Sequence, residues 1–337
     1  MRPIERTPVD QVKEPRPPRR GMPKSPPPSS SSEPRYLRRG KVKEVYSVSP
    51  TELEFRFTND ISVFDKHIPS EIPHKGETLN RTAAFWFESC RTHKIPNHFL
   101  RLSGPTSMRV KRVQVVLQPS SLGPHPKNYL IPLELIVRYY LAGSMWDRVR
   151  SGKVTPEELG FPAGKHLQFA DPLPEPHFEV TTKLEPIDRL LTIEEALELS
   201  ALDRRQMDEL KETILKIDGA MQREIAPRGL LHVDGKKEFG VDADGALMVV
   251  DTFGTADEDR FWDRDAFERG RQVDFSKEFV RQHYRSTGYY DRLMAARQAG
   301  GPEPEIPPLP PLLVDEVSRL YTTVYQRLTG QPFTPSA

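Results

Sequence analysis

The chain of 337 residues holds a single cysteine, Cys90. One thiol cannot close an intrachain disulfide, so a reducing compartment suits it and the cytoplasm is expected. No apolar run approaches the roughly 20 residues that span a bilayer, and no apolar stretch near residue 1 suits a secretory signal. No membrane contact is expected. An excess of one charge is missing too: 49 Lys and Arg stand against 48 Asp and Glu, a formal +1. Nothing global therefore points to nucleic acid or to an anionic surface. Internal repeats are absent. Nine histidines are present, none at metal-ligand spacing, and they read as ordinary core or surface residues.

Proline, by contrast, is abundant at 34 residues, and ten of these fall within residues 1–34. That stretch also carries Ser-rich low complexity and more basic than acidic groups. It cannot bury enough apolar surface to offset its ordering entropy, so a disordered Pro/Ser/Arg-rich extension is expected there. From Tyr36 the pattern becomes regular. RGKVKEVYSV alternates, SPTE turns, and LEFRFT alternates again, which predicts a β-hairpin. Asn80 to Lys94 reads as a helix, and Met108 to Leu117 as a strand. Thr192-x-x-Glu195 is a capping box. Met207, Leu210, Ile214, Ile217 and Met221 form a helical stripe. Helical patterns return over Ser276 to Arg297 and Leu312 to Leu328, with PEPEIPPLPP as a stiff linker between them. Strands dominate the front and helices the back, so the fold class is α+β with two lobes.

The stretch HVDGKKEFGVDADGALMVVD, His232 to Asp251, carries the densest chemistry. Side chains alternate faces along a strand, so Asp234, Lys236 and Glu238 share one face. The DADG turn returns the chain antiparallel. A two-residue turn puts Asp251 opposite Glu238, and a four-residue turn puts it opposite Lys236. Either register adds Asp251 to the same face. Neighbouring carboxylates repel unless a cation lies between them, and magnesium with phosphate oxygens suits such a set. A solvated charged face is the plain alternative. The run from Thr252 to Asp263 adds four acids and Arg260 beside Phe261 and Trp262. Gly240 leaves space for a ligand or a neighbouring strand to pass close.

Two further groups stand out. In IPLELIVRYYLAGS, Glu134 and Arg138 are ionisable residues in an apolar run, and buried charges need partners. Arg138 could pair with Glu134 or hold a ligand carboxylate or phosphate as a fork. Gly143-Ser144 offers a backbone N–H and a hydroxyl at a turn. In RGKVKEVY, Lys41 and Lys43 share a strand face beside Gly40. That suits a phosphate-reading hairpin as well as any exposed strand, and neither GxxxxGK[ST] nor GxGxxG is present.

Taken together and in this order, these pieces resemble the phosphoribosylaminoimidazole-succinocarboxamide synthases, or SAICAR synthetases. GKVKEVY is similar to the family's nucleotide hairpin. LELIVRYYLAGS fits P-x-E-x-(I/V)-x-R-x-x-x-(A/T/G)-G-S, and VDGKKEFG fits D-x-K-x-E-F-G. The likeness runs from about Arg38 to about Gly330. It implies a two-lobed α+β fold related to ATP-grasp: a β-rich nucleotide-binding lobe over 35–130, a larger catalytic and substrate lobe over 131–330, and a tail over 331–337. It implies ATP-dependent joining of the carboxylate of CAIR, an aminoimidazole ribotide, to the amine of L-aspartate through an acyl phosphate. ATP and Mg2+ are the implied co-substrate and cofactor. A small-molecule kinase, or a ligase with another acceptor, is the alternative, and a homo-oligomer stays open.

The resemblance also implies roles. Gly40, Lys41 and Lys43 would meet the ATP phosphates, and Glu238 and Asp251 would bind magnesium. Glu134 would lie at the junction of nucleotide and acceptor. Arg138 and Ser144 would hold CAIR or aspartate groups, and Asp234 and Lys236 would line the acceptor pocket. Arg260 and Arg281 would contact ribotide phosphate or substrate carboxylates. Lys183 would sit on a mobile substrate loop. The catalytic set is Glu134, Lys183, Asp234 and Lys236. Where many members carry a histidine before an aspartate, this chain reads Pro186-Ile187-Asp188.

Overall fold

The computed structural model describes residues 33–118, 121–123, 126–185 and 188–336. The expected disordered extension, apart from residues 33 and 34, and the Pro186-Ile187 departure lie outside the described residues. The chain opens with β1 (Arg35–Arg39), β2 (Lys43–Ser47), β3 (Glu52–Phe57), β4 (Asp60–Val63), β5 (Lys66–Glu71) and α1 (Lys75–Thr92). Next come β6 (Phe99–Gly104), β7 (Ser107–Lys111), β8 (Tyr129–Tyr140), α2 (Gly143–Arg150), β9 (Pro172–Thr182) and β10 (Leu190–Leu191). Then follow α3 (Ile193–Ser200), α4 (Arg204–Ile225), β11 (Leu230–Val241), β12 (Leu247–Val250) and β13 (Asp259–Asp263). The described helices end with α5 (Arg264–Glu268), α6 (Glu278–Ser286), α7 (Tyr289–Ala299) and α8 (Pro311–Thr329).

Two antiparallel sheets and a separate β4–β5 hairpin make up the β structure, so the fold is mixed α+β. One sheet runs β1-β2-β3-β7-β6 and the other β10-β9-β8-β11-β12, with β13 also on β11. The capping box of α3 forms as expected, with Thr192 Oγ1 accepting from Glu195 N. A second opens α4, where Asp203 accepts from Gln206 N and Gln206 returns the bond. The α4 stripe Met207, Leu210, Ile214, Ile217 and Met221 is buried throughout. Each such side chain contributes about 1.5–3 kcal/mol by leaving water. Among the described residues no helix is long and apolar enough to cross a membrane.

Several expectations change. RGKVKEVYSV is two strands, because Gly40 N bonds Lys43 O at 2.8 Å and closes a tight turn between β1 and β2. Lys41 is therefore on a turn, not on one strand face with Lys43. The strand expected over Met108–Leu117 stops at Lys111, and Leu117 is exposed. Ser276–Arg297 splits into α6 and α7 at Gly288, whose φ of 69° interrupts the helix. The proline segment 302–311 is a packed strap more than a linker. Ile306 and Leu309 are buried, Tyr284 and Tyr289 donate to the carbonyls of Pro307 and Pro304, and Leu309 N donates to Ser70 Oγ.

Candidate active site

The site grows from the β8–β11 pair. Glu134 lies opposite Glu238, Ile136 opposite Lys236, and Arg138 opposite Asp234. Directly opposed residues share a face, so Glu134, Arg138, Asp234, Lys236 and Glu238 converge as the alternation predicts. Strand β9 adds Glu179, opposite Ile136 on the other edge of β8.

Asp251 reaches this face by a different route from the one expected. The hairpin register is Val241 to Leu247 and Glu238 to Val250, which leaves five residues in the loop. Asp242 makes that loop, since its Oδ1 accepts from Asp244 N and Ala246 N, both at 2.9 Å. By strict alternation Asp251 would then oppose Lys237 and face away. Instead β12 ends at Val250, and Asp251 takes φ of 60°. This left-handed residue turns its carboxylate toward Lys43 and Lys183. His98 Nε2 lies 3.1 Å from the Asp251 carbonyl and helps to hold the turn.

Two cavities flank these strands. One of about 350 Å³ is lined by Gly40, Lys41, Lys43, Glu134, Lys183, Glu238 and Asp251. The other, of about 340 Å³, is lined by Arg138, Ser144, Asp234, Arg260 and Arg281. Lys236 and Glu258 line both. Every predicted site residue therefore borders one cavity or the other, and the cavities meet at one lysine and one glutamate.

In the first cavity, Lys236 Nζ donates to Glu134 Oε1 at 2.8 Å and lies 3.4 Å from Glu258. Lys183 pairs with Glu238 and lies 3.8 Å from Asp251. Lys43 pairs with Asp251, whereas Lys41 pairs with exposed Asp65 at 2.6 Å. Burial lowers Lys43 to about 8, with Glu258 and Glu238 opposing the drop. Burial pushes the Glu134 carboxyl up, although Lys236 pulls the other way. Burial also disfavours the charge of Lys236, but Glu258 and Glu134 outweigh it and hold the ammonium well above the lysine range. Glu238 is lowered because Lys183 and Lys236 outweigh its burial. Its Oε2 is buried with no hydrogen-bond partner. An open carboxylate oxygen beside a second carboxylate fits a hard divalent cation, so Glu238 and Asp251 suit magnesium.

In the second cavity, Arg138 does not pair with Glu134. Its Nε donates to Glu179 at 2.7 Å, its Nη1 to Asp234 at 3.2 Å and its Nη2 to Ser144 Oγ at 3.1 Å. Arg260 Nη1 donates to Asp234 at 2.5 Å, and Nε lies 3.3 Å from Asp274. Gly143 makes room for it: a Cβ there would stand 2.9 Å from an Arg260 nitrogen. Arg281 pairs with Glu278 at 3.3 Å. Glu179 escapes the sequence reading, and Glu258 enters it only as one of the four acids after Thr252. Strand alternation through PHFEVTTK offered a signal for Glu179, but only the β8–β9 pairing names its partner.

A second charged cluster lies behind the sheet. Lys237 Nζ is 2.6 Å from Asp218 and 2.8 Å from Asp259, and His232 Nε2 is 2.8 Å from the same Asp259 oxygen. A register shift between His232 and Asp234 turns the histidine to this side. Asp218, His232 and Asp259 lie close enough to ligate a metal, although His232 is the buried core histidine that the sequence suggests. The ammonium of Lys237 already supplies their cation. Gly235 is required here, since a Cβ would fall 1.9 Å from Asp259 Oδ2. Gly240 leaves space for a neighbouring strand, not for a ligand: a Cβ would lie 3.0 Å from the Tyr129 carbonyl.

The joined cavities, lined by lysines, arginines and carboxylates, suit small polar ligands. The family model for SAICAR synthetase matches residues 36–296. The phosphoribosylaminoimidazole-succinocarboxamide synthase of Thermoplasma acidophilum is 51% identical over 298 residues, covering 88% of this chain and 99% of that one. Its counterpart in Thermoplasma volcanium is 48% identical with the same coverage. Among solved structures, the SAICAR synthase of Saccharomyces cerevisiae complexed with SAICAR aligns with a TM-score of 0.68 at 25% identity, covering 90% of this chain and 97% of that one. A SAICAR synthetase in complex with ADP shares the fold, with a TM-score of 0.63 at 21% identity and coverage of 88% and 99%. The chain belongs to the SAICAR synthetase family.

Proposed function

We propose that this chain joins the carboxylate of CAIR to the amine of L-aspartate at the expense of ATP, giving SAICAR, ADP and phosphate. Family membership makes it an ATP-dependent ligase of purine biosynthesis. The observation that carries the finer reading is the sharing of Lys236 and Glu258 by both cavities. A nucleotide in one and an acceptor in the other would bring γ-phosphate and carboxylate together at that pair.

The chemistry explains the residue types. A carboxylate is a poor electrophile until one oxygen becomes a phosphate leaving group. Its oxygen takes the γ-phosphoryl group, and ADP departs. The neutral amine then attacks the carbonyl carbon, phosphate leaves with the C–O electron pair, and one amine proton is lost. Cations must meet the negative charge that spreads in phosphoryl transfer. Gly40, Lys41 and Lys43 would face the ATP phosphates. Glu238 and Asp251 would hold Mg2+, which when bound adds positive charge beside those phosphates. Lys183 would neutralise the same region. Glu134, raised by burial, is suited to take the amine proton. Arg138 with Ser144, Arg260 and Arg281 would grip the anionic groups of CAIR and aspartate, with Asp234 fixing two of the guanidiniums. In this reading residues 35–130 form a nucleotide-binding lobe and 131–330 the catalytic lobe.

The test is ADP release by purified protein with ATP, magnesium and CAIR, with and without L-aspartate. Aspartate-dependent release with SAICAR formed in step is expected. Release without aspartate, with a stable phosphorylated product, would replace the ligase by a small-molecule kinase.

A further inference from the structure

Arg285 borders the cavity of Arg138, Arg260 and Arg281. It follows Arg281 by four residues on α6, so both project from one helix face. The other cations of that cavity each have a carboxylate: Arg138 has Glu179 and Asp234, Arg260 has Asp234, Lys236 has Glu134, and Arg281 has Glu278. Among the described residues Arg285 has none. It rests on aromatic rings instead. Its guanidinium carbon lies 4.1 Å from the Tyr290 ring centroid and 5.6 Å from that of Phe64. Those rings are 4.7 Å apart.

The platform is built at a conformational cost. Phe64 has φ of 53° and Asp65 has φ of 59°, a left-handed pair at the tip of the β4–β5 hairpin. Bulky residues seldom adopt that region, and such strain gathers at functional sites. Arg297 Nη2 donates to the Phe64 carbonyl at 2.9 Å and steadies the tip. A guanidinium stacked on rings keeps its N–H donors, which lie in its own plane, for an anion. Half-buried at the wall of an open cavity and without a carboxylate among the described residues, Arg285 offers those donors to an anion that enters.

We propose that Arg285 is a substrate-binding residue whose guanidinium grips an oxyanion, a carboxylate or phosphate monoester, of either the ribotide or the amino-acid substrate. The assignment rests on the ligase reading above and extends it to a residue outside both sequence signatures. Phe64 and Tyr290 act through Arg285 as positioning residues.

Steady-state kinetics of the full-length Arg285→Met variant test it, with KM measured separately for L-aspartate, CAIR and ATP. One of the two anionic substrates should show a KM raised by about tenfold to a hundredfold, as expected for a lost charge-assisted contact. The KM for ATP and the melting temperature should stay near wild type. A rise for aspartate assigns the grip to its carboxylate, and a rise for CAIR assigns it to the ribotide. Tyr290→Leu should raise the same KM by a smaller factor. Unmoved KM values for both substrates, in a folded variant of an active wild type, would overturn the Arg285 assignment alone. Should Arg285→Met melt far below wild type, Arg285→Gln and Arg285→Lys carry the same comparison, and flat KM values in both would equally overturn it. A wild type with no aspartate-dependent ADP release would take down the ligase reading and this extension together.

Discussion

Lys236 and Lys237 are neighbours on β11, yet they serve opposite sides of the sheet. Lys236 faces the joined cavities with Glu134 and Glu258. Lys237 faces the core, where Asp218 and Asp259 hold it in full burial. The core carboxylates find their partners within the chain: Asp259 also accepts from Gly254 N and faces His232, and Tyr139 donates to Asp218 at 3.0 Å, with His232 Nδ1 the one ring nitrogen buried there without a hydrogen bond. The site group stays open, with Glu238 Oε2 buried and unpaired. Charge buried for structure finds its partners within the chain, whereas charge buried for chemistry keeps capacity for a ligand.

The largest effect that could break this contrast is Lys237→Met. It would strand two buried carboxylates and should cost about 3–5 kcal/mol of stability, read from urea midpoints. A variant as stable as wild type would mean the core cluster is not held by its ammonium. Glu238→Gln should act the other way. It removes a carboxylate charge and little volume, so turnover should fall by about 10²–10³-fold, comparable to the loss of one preorganised electrostatic contact, while the melting temperature holds. An active Glu238→Gln enzyme would remove the metal assignment.

Tyr139→Phe is the smallest test and sharpens the contrast by pH. Burial and then Asp218 raise the Tyr139 hydroxyl above the tyrosine range. Lys237 is also raised, because Asp218 and Asp259 outweigh its burial. A group raised in the folded state stabilises fully below its unfolded pKa, near 10 for tyrosine and 10.4 for lysine, and loses that contribution as pH climbs through the folded value. The core cluster should therefore weaken above about pH 10. At pH 7 Tyr139→Phe should cost about 1–2 kcal/mol through the lost bond to a carboxylate. Its stability should then decline less than that of wild type above pH 10. Parallel curves would show that the hydroxyl does not stay protonated in the fold.

Much of the site was legible residue by residue. Period-two alternation put Asp234, Lys236 and Glu238 on one face, because β11 is a regular strand there. It could not place His232, which a bulge turns to the core, nor separate Lys41 from Lys43, which a tight turn divides. The hairpin register was missed because Asp242 lengthens the loop with its own side chain. Asp251 still arrives at the site, through a backbone conformation that no alternation rule includes. Arg285 carried no signal at all, since its setting depends on Phe64 and Tyr290 from other elements.

The sequence by itself determined the α+β character, the helix caps, the apolar stripe of α4 and the family, since these rest on spacings within single elements or on contiguous signatures. Tertiary structure alone decided which ammonium meets which carboxylate, which glycines must stay bare, and which arginine of the second cavity has no carboxylate among the described residues. Those outcomes depend on strand pairing between distant segments, where a single bulge or one loop residue redirects every side chain beyond it.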